Sequence, residues 1–129
     1  MFRSAKYALK SAADRRLRGS AGERIARQWL EQQGLKTLSE NWRGGRGELD
    51  LVMRDGATLV FVEVRSRRAG ARVSAIESLD PRKLAKVRET AQRYLLAHPR
   101  WQTAPCRFDV VALTGPAEEP RVDWIRDAF

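Results

Sequence analysis

The chain has one cysteine, Cys106, and one histidine, His98, in 129 residues. An intrachain disulfide is excluded, as is a zinc site built from Cys and His within one chain. A lone thiol fits a reducing compartment, so a cytoplasmic location is expected. No apolar run approaches the ~18 residues of a membrane span. The N-terminus lacks the unbroken apolar stretch of a secretory signal. Gly44-Gly45-Arg46-Gly47 does not end in Gly-Lys-Ser/Thr, which argues against a nucleotide-binding phosphate loop. No internal repeat is present.

Positive charge, by contrast, is plentiful. The chain carries 25 Lys and Arg against 16 Asp and Glu, a net charge of +9. Six of those bases (Arg3, Lys6, Lys10, Arg15, Arg16 and Arg18) lie within residues 1–19, where Asp14 is the only acid. The sequence therefore predicts a basic arm, mobile or loosely helical, ahead of a single domain over residues 20–129. A basic arm on a moderately basic body points to nucleic acid, with an anionic membrane as the competing polyanion.

The elements follow from periodicity and punctuation. Ser20 reads as an N-cap with Glu23 three residues on, the pattern of a capping box. Ile25, Ala26, Trp29 and Leu30 give the helix an apolar stripe, and Gly34 stops it. A first strand is expected over Leu35–Trp42, then the glycine-rich loop at 44–47, then a hairpin. Residues 66–79 read as a polar loop. Asp80-Pro81 starts a second helix that ends before Pro99. Strands over Cys106–Leu113 and Arg121–Ile125 complete an α-β-β-β-α-β-β order.

The hairpin holds the most informative residues. Its strands are Gly47-Glu48-Leu49-Asp50-Leu51-Val52 and Leu59-Val60-Phe61-Val62-Glu63-Val64-Arg65, joined near Asp55-Gly56. With Asp55 and Gly56 at the centre of a type I′ turn, Glu48 faces Glu63 and Asp50 faces Phe61. Alternation then puts Glu48, Asp50, Phe61, Glu63 and Arg65 on one face. Leu49, Leu51, Val60, Val62 and Val64 form the opposite, core face. A slip of one residue would separate Asp50 from Glu63.

Acids gathered in this way repel one another, and a divalent cation relieves the repulsion. Asp50 and Glu63 are the expected ligands, for Mg²⁺ or Mn²⁺, because hard ions take oxygen donors. Arg65, always protonated, suits a phosphate clamp and cannot serve as a base. Glu23, on the core side of the first helix, is a further ligand or water-orienting group. Glu48 is an accessory acid. Each has a plainer reading. Glu23 closes a capping box, and Glu48 and Glu63 pair with nearby arginines such as Arg46. The four tryptophans read as core or interface, His98 as a helix end, and Cys106 as a small core hydrophobe. Arg43, Arg46, Arg67 and Arg68 join the basic arm as candidate nucleic-acid contacts.

Several linked motifs carry a family resemblance over residues 20–129. They are Ala21-Gly22-Glu23-Arg24-Ile25-Ala26-Arg27-Gln28-Trp29-Leu30, Asn41-Trp42-Arg43, the two hairpin strands, Lys83, Arg107-Phe108-Asp109-Val110-Val111 and Asp127-Ala128-Phe129. Together they resemble the YraN family of bacterial proteins, grouped with the PD-(D/E)xK nucleases and similar to archaeal Holliday junction resolvases. The resemblance implies a restriction-endonuclease-like αβββαβ core, a mixed central sheet flanked by helices. It makes Asp50 the superfamily aspartate, Glu63 the acid of the E-x-K element and Glu23 the helix glutamate. Arg65 stands where that superfamily usually has lysine. Lys83 either supplies the missing amine from the second helix or is an exposed first-turn lysine. Resolvases act as dimers, so a homodimer is the implied assembly. The resulting expectation is a Mg²⁺- or Mn²⁺-dependent endonuclease acting on DNA, including branched or flapped forms. The alternatives are a non-catalytic nucleic-acid-binding module on the same fold and an adaptor with a basic arm.

Overall fold

The computed structural model describes residues 12–70, 74 and 76–129, with side chains from residue 21 onward. Arg3, Lys6 and Lys10, and the side chains of Arg15, Arg16 and Arg18, lie outside the described residues. The elements are α1 (Ala12–Gln32), β1 (Lys36–Gly44), β2 (Gly47–Asp55), β3 (Thr58–Arg67), α2 (Pro81–Ala97), a 3₁₀ turn (Pro99–Trp101), β4 (Cys106–Thr114) and β5 (Arg121–Ile125). The five strands form one sheet in the order β1-β2-β3-β4-β5. Only β3 and β4 run parallel, and α2 makes the crossover that parallel neighbours require. This is the α/β architecture expected, an αβββαβ core extended by β5.

The helices cover opposite faces of the sheet. Ala26 and Leu30 of α1, one turn apart, pack on Leu51, Met53, Val60, Val62, Val111 and Leu113. Val87, Ala91 and Tyr94 of α2 pack on Leu49, Val52, Leu59 and Phe61. Each large apolar side chain so buried contributes about 1.5–3 kcal/mol. The central strands are therefore buried on both faces, whereas the sequence reading gave them one core face. Trp29 meets Trp124 edge-on and Trp42 meets Tyr94 edge-on, which bears out a packing role for these tryptophans.

Helix ends agree with the sequence in one case and differ in the other. Asp80 caps α2 by accepting from Lys83 N at 2.9 Å, with Pro81 in the first turn, and His98 ends the helix. Helix α1, however, is already helical at Ala12 and continues through Ser20. Ser20 lies inside the helix and so does not begin it, contrary to the expectation. Cys106 is exposed at the start of β4, which corrects its reading as a core residue.

The β2–β3 register also departs from the expectation in an instructive way. Asp55 pairs with Thr58, and Leu51 with Val62. Gly56 and Ala57 are thus the loop residues, with Gly56 at φ +62°. The pairing is shifted by two residues from the expected one. A two-residue shift leaves every side chain on its own face.

Alternation does break at Asp50. Leu49 belongs to the α2-side cluster and Leu51 to the α1-side cluster, although both were expected on one face. The partner strand breaks at the same level. Glu40 opposite Leu51 reaches Arg27 of α1, while Trp42 opposite Leu49 packs on Tyr94 of α2. Between them Asn41 has φ +49°, a left-handed conformation that Asn tolerates better than most residues.

A separate polar knot ties down the C-terminus. Asp109, fully buried, accepts from Arg107 Nε at 3.0 Å, Trp124 Nε1 at 2.9 Å and Asp127 N at 2.9 Å. Ala128 N donates to Phe108 O at 2.6 Å, and the Phe129 ring stacks on Phe108 at 5.0 Å. The Arg107-Phe108-Asp109 and Asp127-Ala128-Phe129 motifs are thus two halves of one structural device.

Candidate active site

Around Asp50, at the break in β2, charged groups of both helices come within reach of the strand acids. Glu23 arrives from α1. Its approach depends on Gly22, where a Cβ would lie 3.2 Å from Ser66 Oγ and 3.3 Å from Leu113 Cδ1. Asn41 Nδ2 donates to Glu23 Oε1 at 2.6 Å. Asp50 Oδ2 accepts from Val64 N at 2.9 Å, so a strand backbone group fixes this carboxylate. From the other helix, Lys83 Nζ stands 3.5 Å from Glu63 Oε1.

Glu63 is the most buried acid of the group, with 2% of its side chain exposed. Its second oxygen, Oε2, is buried without a hydrogen-bond partner among the described residues. A buried carboxylate oxygen left unsatisfied is costly unless something positive meets it.

The electrostatics agree with crowding. Burial, and then the neighbouring Asp50 carboxylate, push Glu63 up to about 8, with Lys83 opposing. Burial also raises Asp50, against the Val64 hydrogen bond and the Lys83 charge. Glu23 is pushed up to about 7, first by burial and then by Asp50 and Glu48, while the Asn41 hydrogen bond holds it down. Three acids on two strands and a helix thus shift in one direction, as happens at sites prepared for a cation or for proton transfer.

The remaining sequence-predicted residues divide into two groups. Lys83 reaches the cluster through Glu63, while 41% of its side chain stays exposed in the first turn of α2. Arg65 hydrogen-bonds away from the acids, while its charge still opposes the rise of Asp50. Its Nε donates to Ser78 Oγ at 3.2 Å and its Nη2 lies 3.5 Å from Ser78 O, so it anchors the segment ahead of α2. Glu48 lies near enough to raise Glu23 and Asp50, and it pairs with Arg43 at 3.5 Å. Arg46 and Arg68 are exposed, and Arg67 is half-buried at the end of β3. Asn41 was missed as a site residue by sequence reasoning. No hydrophobic pattern marks it, and its signal is a left-handed backbone.

Among the described residues, no three His, Cys, Asp or Glu side chains form a ready-made cation cage. The donors still suit Mg²⁺ or Mn²⁺. Mg²⁺ is commonly held by one or two carboxylates plus water and substrate phosphate. Asp50 and Glu63, the latter through its orphaned Oε2, supply oxygen donors of that kind.

Comparison with known proteins adds a family and no reaction. The model of "Uncharacterised protein family UPF0102" matches residues 22–113. The chain is 52% identical over 111 residues to a UPF0102 protein of Stutzerimonas stutzeri, covering 86% of this chain and 92% of that one. It is 51% identical over 111 residues to one from Ectopseudomonas mendocina, with coverages of 86% and 92%. For one from Pseudomonas aeruginosa the identity is 49% over 114 residues, with coverages of 87% and 91%.

Proposed function

The chain belongs to the UPF0102 family, and we propose that within it this protein is a divalent-cation-dependent endonuclease that hydrolyses DNA phosphodiesters. The observation that carries the proposal is the buried Glu63, with one oxygen unpartnered and the other facing Lys83, beside Asp50. Asp50 and Glu63 would hold the cation. Bound there, Mg²⁺ or Mn²⁺ would polarise a phosphoryl oxygen and lower the pKa of water.

The chain's own residues supply the rest. Lys83 places an ammonium at the acids, where it neutralises charge gathering on a phosphate. It takes the place of the lysine that Arg65 replaces. Glu23, near 7, exchanges a proton readily at neutral pH, which suits a group that orients or deprotonates water. In the net reaction water adds to phosphorus, one bridging P–O bond breaks, and the leaving oxygen takes a proton. The net charge of +9 favours a polyanionic substrate. Paired cleavage of a symmetric branched substrate would need two such sites, hence a homodimer.

One observation favours binding without cleavage: Arg65 directs its hydrogen bonds to Ser78, although its charge still acts on Asp50. A panel of Mg²⁺, Mn²⁺ and Ca²⁺ against single-stranded, duplex, flap and four-way DNA, with Asp50→Asn as control, separates the two readings. Cleavage that needs Mg²⁺ or Mn²⁺ and Asp50 supports the nuclease. Salt-dependent binding with no cleavage under any metal supports the binding module.

Among the described residues no helix is long and apolar enough to cross a membrane.

A further inference from the structure

Helix α2 carries more than Lys83 on the side that meets the site. Residues 83, 86, 90 and 93 recur at intervals of three and four, so they share one helix face. Lys83 starts the row at Glu63. Lys86 and Thr90 follow, against Gly47: a Cβ at Gly47 would lie 3.2 Å from Lys86 Cγ and would collide with Thr90 Oγ1. Arg93 ends the row, with its Cζ 2.8 Å from where a Cβ on Gly45 would be. The β1–β2 turn therefore lies directly on α2, and only glycines allow that approach.

Arg46, exposed, lies in this turn between Gly45 and Gly47. One acid on the same helix faces the row: Glu89 pairs with Arg93 at 3.8 Å. That pair is solvent-exposed and therefore weak, so a stronger anion displaces it. Lys86 and Arg46 have no ion-pair partner among the described residues. From Lys83 to Arg93 the row runs about 15 Å, at 1.5 Å per residue.

We propose that this row, Lys83-Lys86-Arg93 with Arg46 in the adjoining turn, is a phosphate rail that holds a nucleic-acid backbone and leads it to the acid cluster. The proposal rests on the nuclease reading for what happens at the end of the rail. The binding surface itself is a separate claim. Cations on a helix and a tightly packed turn are held in fixed positions, which suits backbone contacts that position a strand without reading its sequence.

The test uses the full chain, Lys86→Gln/Arg93→Gln, and Arg121→Gln as a control on β5 at the far edge of the sheet. Both sets of changes are at exposed positions, and circular dichroism verifies the fold. Anisotropy of fluorescein-labelled duplex and four-way DNA in EDTA gives affinity against salt. The double variant is expected to lose about 1.8 from the salt slope, at about 0.9 per phosphate contact. Arg121→Gln should keep the parent slope. Equal slopes for parent and double variant, with the parent binding, would overturn the rail and leave the nuclease reading standing. A parent that binds no DNA at low salt would overturn both. A double variant that loses binding to phosphatidylserine vesicles and keeps its DNA slope would also overturn the rail, in favour of a membrane.

Discussion

Lys83 Nζ lies 3.5 Å from Glu63 Oε1, joining the start of α2 to the middle of β3. The two residues are brought together by the Asp80 cap, which fixes where the helix begins and thus which residue meets the strand. The pair places the site's amine on a helix, while the strand position two beyond Glu63 holds Arg65, turned to Ser78.

Lys83→Ala should therefore lower cleavage by about 10²-fold or more, the usual loss for one group stabilising transition-state charge. Arg65→Ala should act mainly by freeing the segment ahead of α2, with a smaller fall in rate. Single-turnover cleavage of both variants at saturating enzyme checks the ranking. An unaffected Lys83→Ala enzyme beside a dead Arg65→Ala enzyme would reverse it.

The raised acids predict a stability that falls with pH when no metal is present. Glu63 and Glu23 sit near 8 and 7 in the folded chain, against an ordinary 4.5. Folding therefore favours their protonated forms. The stabilisation is complete below about 4.5 and is lost as pH rises through 7 and 8. In EDTA, Tm should drop between pH 5 and pH 9. Glu63→Gln should flatten that drop and melt on the order of 5 °C higher than the parent at pH 9. Thermal unfolding across this range is the measurement, and a Tm that rises with pH would contradict the cause assigned here.

Much of this site was legible in the sequence, through parity. The turn moved by one residue and the pairing by two, which keeps the parity that put Asp50 and Glu63 on one face. What stayed hidden depends on non-repeating backbone. Asn41 at φ +49° flips β1 where β2 flips at Asp50, and this sends Leu49 to the α2 side. Alternation counts cannot detect such a break. The start of α1 was also hidden, because Ser20-x-x-Glu23 makes a good cap only if the chain before it is not already helical. Lys83 was open between two roles because the sequence does not give the rotation of α2 about its axis.

Asn41 should orient Glu23 through its 2.6 Å hydrogen bond. Asn41→Gly keeps a residue at ease with positive φ and removes the amide. The lost bond had favoured the charged carboxylate, so Glu23 should titrate higher. The acid limb of the cleavage profile should move to higher pH with little change in KM. A profile that does not move would reduce Asn41 to a backbone role.

Gly47 should be intolerant of any side chain, because its Cβ would collide with Thr90 Oγ1. Gly47→Ala is expected to cost about 1–3 kcal/mol, as overpacking usually does. Thr90→Ala in the same chain makes room, so the double variant should recover part of the loss. Urea unfolding of the four proteins of this cycle tests the contact, and strict additivity would deny it.

The central claim, that Asp50 and Glu63 hold a cation that cleaves DNA, is tested most directly by cleavage of a labelled four-way junction in Mg²⁺ or Mn²⁺. Parent, Asp50→Asn and Glu63→Gln proteins of equal fold and purity are compared at saturating enzyme. The parent should cut, chelation by EDTA should stop it, and both variants should be inactive while binding the junction at least as well. Cutting by either variant at the parent's rate would contradict the account, as would a parent that binds the junction and cuts no DNA with any metal.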